Sequence, residues 1–149
     1  VARELGGDRA DAARSAAGRV LAWAVIASLV LGLATIGGHR VIAGWFSADP
    51  AVVAAIAGAL LWVGAGQPIA GPAFAYDGVL VGAGDLRFLA VAMLAVAATF
   101  GIGAALTLAT GAGLWALWAT LTAAMLVRTA LMNHRFRSGS WLRLGAAIS

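Results

Sequence analysis

Asp77 is the residue in this chain whose type and position most demand a chemical explanation. It stands in the stretch from Gln67 to Asp85, inside a long apolar run, together with Pro68, Pro72 and Tyr76. It lies eight positions before Asp85, about 12 Å along a helix from the nearest polar end. A charged, unpaired carboxylate at that depth in a membrane costs several kcal/mol. Two arrangements relieve that cost. The carboxyl can carry a proton, or it can pair with a cation, and either equips it to bind and release a proton or a sodium ion. The competing reading is structural: Asp77 caps a distorted backbone or reaches back to the membrane surface. Arg128 is its natural partner, because it precedes Arg135 by seven positions and so lies at a similar depth. A salt bridge between the second and fourth apolar segments is then allowed, with simple snorkelling of Arg128 as the alternative. Gln67 and Tyr76 can hydrogen-bond beside the prolines, either to a small-molecule substrate or to backbone groups that the prolines leave free.

Other chemistries are set aside. There is no cysteine, hence no disulfide framework and no thiolate metal site. There is no lysine, hence no Walker A motif. Gly82-Ala-Gly-Asp-Leu-Arg87 lacks the third glycine and the preceding strand of a dinucleotide fingerprint. His39 alone could carry a proton or ligate a metal, but a histidine at a membrane edge is more often an interfacial polar residue. His134 falls on the opposite side of the membrane, so the two form no shared metal site. No nucleophile-and-base pair stands out. The chain is expected to be no enzyme, with no catalytic residue, no metal and no cofactor beyond a coupling ion. All ten basic side chains are arginine, and the formal charge is +4. They cluster between apolar segments, so they report membrane topology rather than a nucleic-acid partner.

The elements that hold these residues follow from composition. The chain is 62% hydrophobic and 11% charged, against about 45–50% and about 25% for a soluble domain. The expectation is an all-α membrane protein with four transmembrane helices at about 20–46, 50–83, 86–109 and 112–133. Residues 1–19 and 134–149 form an aqueous loop and tail. Gly37-Gly38 marks a possible kink in the first span. Asp49 and Pro50 suit the N-cap and first position of the second span. That span is too long for the bilayer, and Pro68 and Pro72 are expected to break or bend it. Gly78 and Gly82 form a small-xxx-small pair suited to close helix packing. Asp85 reads as the cap of the third span. Trp115 and Trp118 read as interfacial anchors of the fourth. Arg3, Arg9, Arg14, Arg19, Arg87, Arg135, Arg137 and Arg143 fall on one side and only Arg40 on the other. Both ends are therefore expected in the cytoplasm of a multi-pass cell-membrane protein.

The run Phe74-Ala-Tyr-Asp-Gly-Val-Leu-Val-Gly-Ala-Gly-Asp-Leu-Arg-Phe88 resembles the multidrug and toxic compound extrusion (MATE) family. In its DinF-type branch the tenth span carries Phe-x-x-Asp-Gly-x-x-x-Gly-x-x-Asp. Three further segments are similar to that branch: Trp45-Phe46-Ser-Ala-Asp49 before that span, Gly6-Gly-Asp8 in the loop after the eighth, and Arg135-Phe-Arg-Ser-Gly-Ser-Trp141 in the C-terminal tail. The resemblance implies an antiporter of two six-helix lobes that exports organic cations or amphipathic small molecules against protons or sodium. It implies that 20–143 is a four-span part of the C-terminal lobe, that Asp77 is a site residue, and that the missing remainder of the same transporter is a partner alongside substrate and lipid bilayer. Two other readings stand beside it: a non-transporting four-span scaffold, and a small exporter that works as an oligomer.

Overall fold

The structure, a computed structural model, describes residues 9–142. Four helices follow one another: α1 (Ala10–Phe46), α2 (Pro50–Gly82), α3 (Leu86–Thr110) and α4 (Leu114–Ser138). No strand occurs among the described residues. All four helices are long and apolar enough to cross a membrane. The Gly6-Gly-Asp8 segment, Arg3 and Arg143 lie outside the described residues.

α1 has 37 residues, about 55 Å of helix against about 30 Å of hydrocarbon. It begins at Ala10, so the second half of the expected N-terminal loop is helical. Alanines dominate that half, and Ala13 and Ala17, one turn apart, are fully buried. The helix passes Gly37-Gly38 without interruption. α2 begins as its sequence requires: Pro50 takes the first position, and Asp49 Oδ1 accepts from the amides of Ala51 at 2.8 Å and Val52 at 3.4 Å.

The expected break in α2 takes a milder form. The helix is continuous from Pro50 to Gly82, with Pro68 and Pro72 inside it. The two prolines are four positions apart and share one face. Their missing donors deprive only the carbonyls of Gly64 and Pro68, and the rest of the ladder carries the helix past them. In an apolar setting an open backbone would leave more groups unpaired than these two.

Each connection reverses the chain, so α2 and α4 run in the same direction. α1 packs on α2, which also meets α4, and α4 packs on α3. The α1–α2 seam is built on backbone approach. A Cβ on Gly32 would lie 2.7 Å from the Gly64 carbonyl oxygen, and one on Gly71 would lie 2.4 Å from Ser28 Cβ. Gly78, by contrast, faces open space, so this half of the expected Gly78–Gly82 pair makes no close contact.

The buried core sits at the arginine-rich end. Ala13 and Ala17 of α1, Val79 and Leu80 of α2, Leu89 and Ala92 of α3, Met132 of α4 and the fully buried Trp141 form one cluster. The Trp141 indole N–H donates to the Phe136 carbonyl at 3.0 Å, and the two rings stack at 5.3 Å. The rest of the helical surface is apolar and outward-facing, with Leu94, Leu108 and Phe46 each at least 70% exposed.

Candidate functional site

Asp77 and Arg128 meet. Asp77 lies five positions before the end of α2, and Arg128 near the same level on the parallel α4. Arg128 Nη2 donates to Asp77 Oδ2. Both side chains are largely buried, at 22% and 14% exposed. The pairing is one-pronged. Asp77 Oδ1 and Arg128 Nε are buried without a hydrogen-bond partner among the described residues. The guanidinium also lies over the Phe74 ring, 4.7 Å from its centroid, a favourable placement for a partly desolvated cation. A carboxylate with one oxygen engaged and one unsatisfied is equipped to take a proton or a cation, provided Arg128 yields.

Phe74 connects this pair to a cleft of about 210 Å³ between α2 and α4. Trp62, Gln67, Phe74, Trp118, Thr122 and Met125 are among its lining residues. Gln67 therefore faces the cleft but not Asp77, from which ten helical positions separate it. Trp118 departs from the interfacial anchor expected of it. It lines the cleft, and its indole N–H is buried without a partner among the described residues. Trp115 instead stacks on Trp62 at 6.4 Å and fills the space over Gly58.

Tyr76 turns away from the cleft. Its hydroxyl donates to Asn133 Oδ1 at 2.9 Å, and its ring tilts against Phe136 at 5.4 Å. It joins Asp77's helix to the aromatic cluster at the arginine-rich end. His39 Nδ1 lies 2.6 Å from the Ile36 carbonyl oxygen of its own helix. No group of three or more potential metal-ligating side chains occurs among the described residues.

A second ion pair escaped the sequence reading. Asp85 stands at the N-cap position of α3 but makes no side-chain capping bond. Its carboxylate instead receives a two-pronged fork from Arg135, Nε to Oδ2 at 2.7 Å and Nη2 to Oδ1 at 3.3 Å. Asp85 is 4% exposed, and Arg135 lies over the Phe88 ring at 5.0 Å. A signal for it was present. Asp77 and Asp85 are eight positions apart and Arg128 and Arg135 seven, a matched spacing once the two helices are known to run in parallel.

Comparison with known proteins bears on the whole arrangement. The MatE family model matches residues 1–108, which include Gln67, Pro68, Pro72, Tyr76, Asp77 and Asp85. Protein DETOXIFICATION 43 of Arabidopsis thaliana is 35% identical over 127 residues, covering 84% of this chain and 24% of that protein. Protein DETOXIFICATION 45, chloroplastic, from the same plant is 33% identical over 126 residues, covering 82% and 22%. The chain thus spans about a quarter of the length of these relatives. No solved structure matches. With four bilayer-length apolar helices and a family match over most of its length, the chain is a multi-pass membrane protein and belongs to the MatE family.

Proposed function

We propose that the chain is spans nine to twelve, in the C-terminal lobe, of a DinF-type efflux antiporter. The whole protein exports organic cations or other amphipathic small molecules from the cell in exchange for protons or sodium. The observation that carries this reading is the one-pronged Asp77–Arg128 pair, held among apolar helices with one carboxylate oxygen unsatisfied among the described residues. In this arrangement Arg128 occupies the carboxylate in place of the coupling ion. A proton or sodium ion arriving at Asp77 displaces the guanidinium, whose remaining partner is the Phe74 ring. Phe74 is also part of the cleft wall, so the exchange at Asp77 is felt where a substrate would lie. The aromatic faces of Trp62, Phe74 and Trp118 suit an organic cation or a planar apolar molecule. The Gln67 amide and the free Trp118 N–H add hydrogen bonds that fix its orientation. Alternating access of the two lobes then moves substrate and ion in opposite directions. The names of the Arabidopsis relatives, which describe detoxification, favour export.

The test is Asp77→Asn in the complete transporter. The variant keeps the size of the side chain and a carbonyl acceptor for Arg128. Ion-coupled export is expected to be abolished while the protein folds and inserts normally. Export at the wild-type rate removes Asp77 from the mechanism.

A further inference from the structure

Thr129 follows Arg128 directly on α4. Its hydroxyl oxygen lies 3.0 Å from the Ile69 carbonyl oxygen of α2 and 2.9 Å from the Met125 carbonyl oxygen of its own helix. A hydroxyl carries one proton. It therefore donates to one of these carbonyls at a time, and rotation about a single C–O bond exchanges them. The bond to Met125 is the ordinary back-bond of a helical threonine, made also by Thr99, Thr107, Thr120 and Thr122. The bond to Ile69 differs in kind, because it reaches the main chain of a second helix, as none of those four does.

Ile69 occupies a special place in α2. It lies between Pro68 and Pro72, neither of which has an N–H to give. This turn is the one least held by its own ladder. A carbonyl oxygen has two lone pairs, so that of Ile69 accepts the hydroxyl alongside a helical N–H. The contact fastens α4 to α2 where α2 is weakest along its length, one residue from the arginine that pairs with Asp77.

We infer that Thr129 is a positioning residue for the Asp77 site: on the Ile69 carbonyl, its hydroxyl clamps the proline turn of α2 to α4 and so sets Arg128 opposite Asp77, and on the Met125 carbonyl it releases that turn to flex. The consequence for transport rests on the reading of Asp77 given above; the clamp itself rests on the two distances and the two prolines. Thr129 touches neither ion nor substrate and acts through Arg128.

The experiment compares Thr129→Val, which has the same shape but no hydroxyl, with Thr129→Ser, which keeps the hydroxyl. Both are made in the complete transporter with its own cysteines replaced and spin labels at Leu61→Cys and Leu126→Cys. Both labelled positions are exposed, one on the part of α2 before the prolines and one on α4. The distance distribution between the labels and the export rate are measured. Thr129→Ser is expected to match the wild type in both. Thr129→Val is expected to broaden the distribution and to lower export roughly threefold, the size of one hydrogen bond between helices in a membrane. A Val variant with the wild-type distribution, or a Ser variant as impaired as the Val, overturns the inference. Normal export by Asp77→Asn would overturn the reading of Asp77 instead, and the distance measurement judges the clamp whichever way that result falls.

Discussion

Two aspartates eight positions apart are each paired with an arginine of α4, and the two pairs differ in geometry. Asp85 is buried and doubly engaged by Arg135, with no lone oxygen left over. That is the geometry of a structural tie. Removing one partner of a completely buried pair costs about 3–5 kcal/mol, because the other charge is left stranded. Arg135 retains 27% exposure, so solvent screens part of that loss. Asp85→Ala is expected to destabilise the complete protein by about 2–3 kcal/mol, read by thermal unfolding in detergent. The exchange of Asp85→Arg with Arg135→Asp should recover part of it. An unfolding curve that Asp85→Ala leaves unmoved would deny the tie its role. Asp77 should differ in what its loss does to function. Asp77→Asn takes the counter-charge from Arg128, itself only 14% exposed, but keeps a carbonyl acceptor, so a loss of about 1.5–3 kcal/mol, the scale of a hydrogen bond to a charged group, is expected together with the loss of export. The sequence made Asp77 legible because a carboxylate stood inside an apolar run, and Arg128 because it shared that depth. It hid Asp85 because a position just before a helix has a cheap local explanation, and nothing in the order of residues says where a side chain turns.

The helices pack through glycine, but not through the Gly78 that the pattern favoured. Gly78 and Gly82 have the spacing of a packing motif, yet a Cβ on Gly78 would meet nothing within 4 Å. Gly32 on α1 and Gly64 on α2 carry the close approach. A Cβ on Gly32 would press against a backbone carbonyl, which cannot swing aside as a side chain can. Gly32→Ala is expected to force α1 and α2 apart and cost about 1–3 kcal/mol, the usual range for overpacking. Gly78→Ala should be neutral or add up to about 1 kcal/mol, since alanine is the better helix former. Thermal unfolding of the two variants side by side checks the contrast, and equal effects would mean that the α1–α2 seam tolerates separation. Helix number and type were plain from the apolar runs and their turn residues: Asp49 and Pro50 start α2 as read, and Gly111, with φ of +65°, ends α3 in the left-handed conformation glycine favours. Which of 20 glycines meets a neighbour was not plain, because small residues crowd every face of these helices. Of the break or bend expected at Pro68 and Pro72, the break does not occur: the helix runs on past both, and the hydroxyl of Thr129 on α4 reaches the Ile69 carbonyl between them.

At the scale of the molecule the two ends differ in charge and in packing. The end with the buried cluster carries Arg14, Arg19, Arg87, Arg135 and Arg137, with α1 projecting about 15 Å or more beyond what a bilayer needs. Around Trp141 all four helices come together there. The opposite end carries Arg40 and Asp49, which offset one another, and its turns hold no further charge. An apolar bundle has no hydrophobic reason to prefer one orientation in a bilayer, so the charges decide, and arginine-rich segments stay on the side of synthesis. The packed end is therefore expected to face the cytoplasm, with the cleft between α2 and α4 toward the other side. Single substitutions test this in intact cells with a membrane-impermeant maleimide, in the complete transporter with its own cysteines replaced; these 149 residues contribute none. Ala48→Cys and Ala112→Cys, both exposed in the two turns of the sparsely charged end, should label from outside. Leu86→Cys, 59% exposed beside Arg87, should label only after the cells are opened. The reverse pattern would invert the topology. It would also turn the Asp77 carboxylate, near the packed end of α2, toward the opposite side of the membrane.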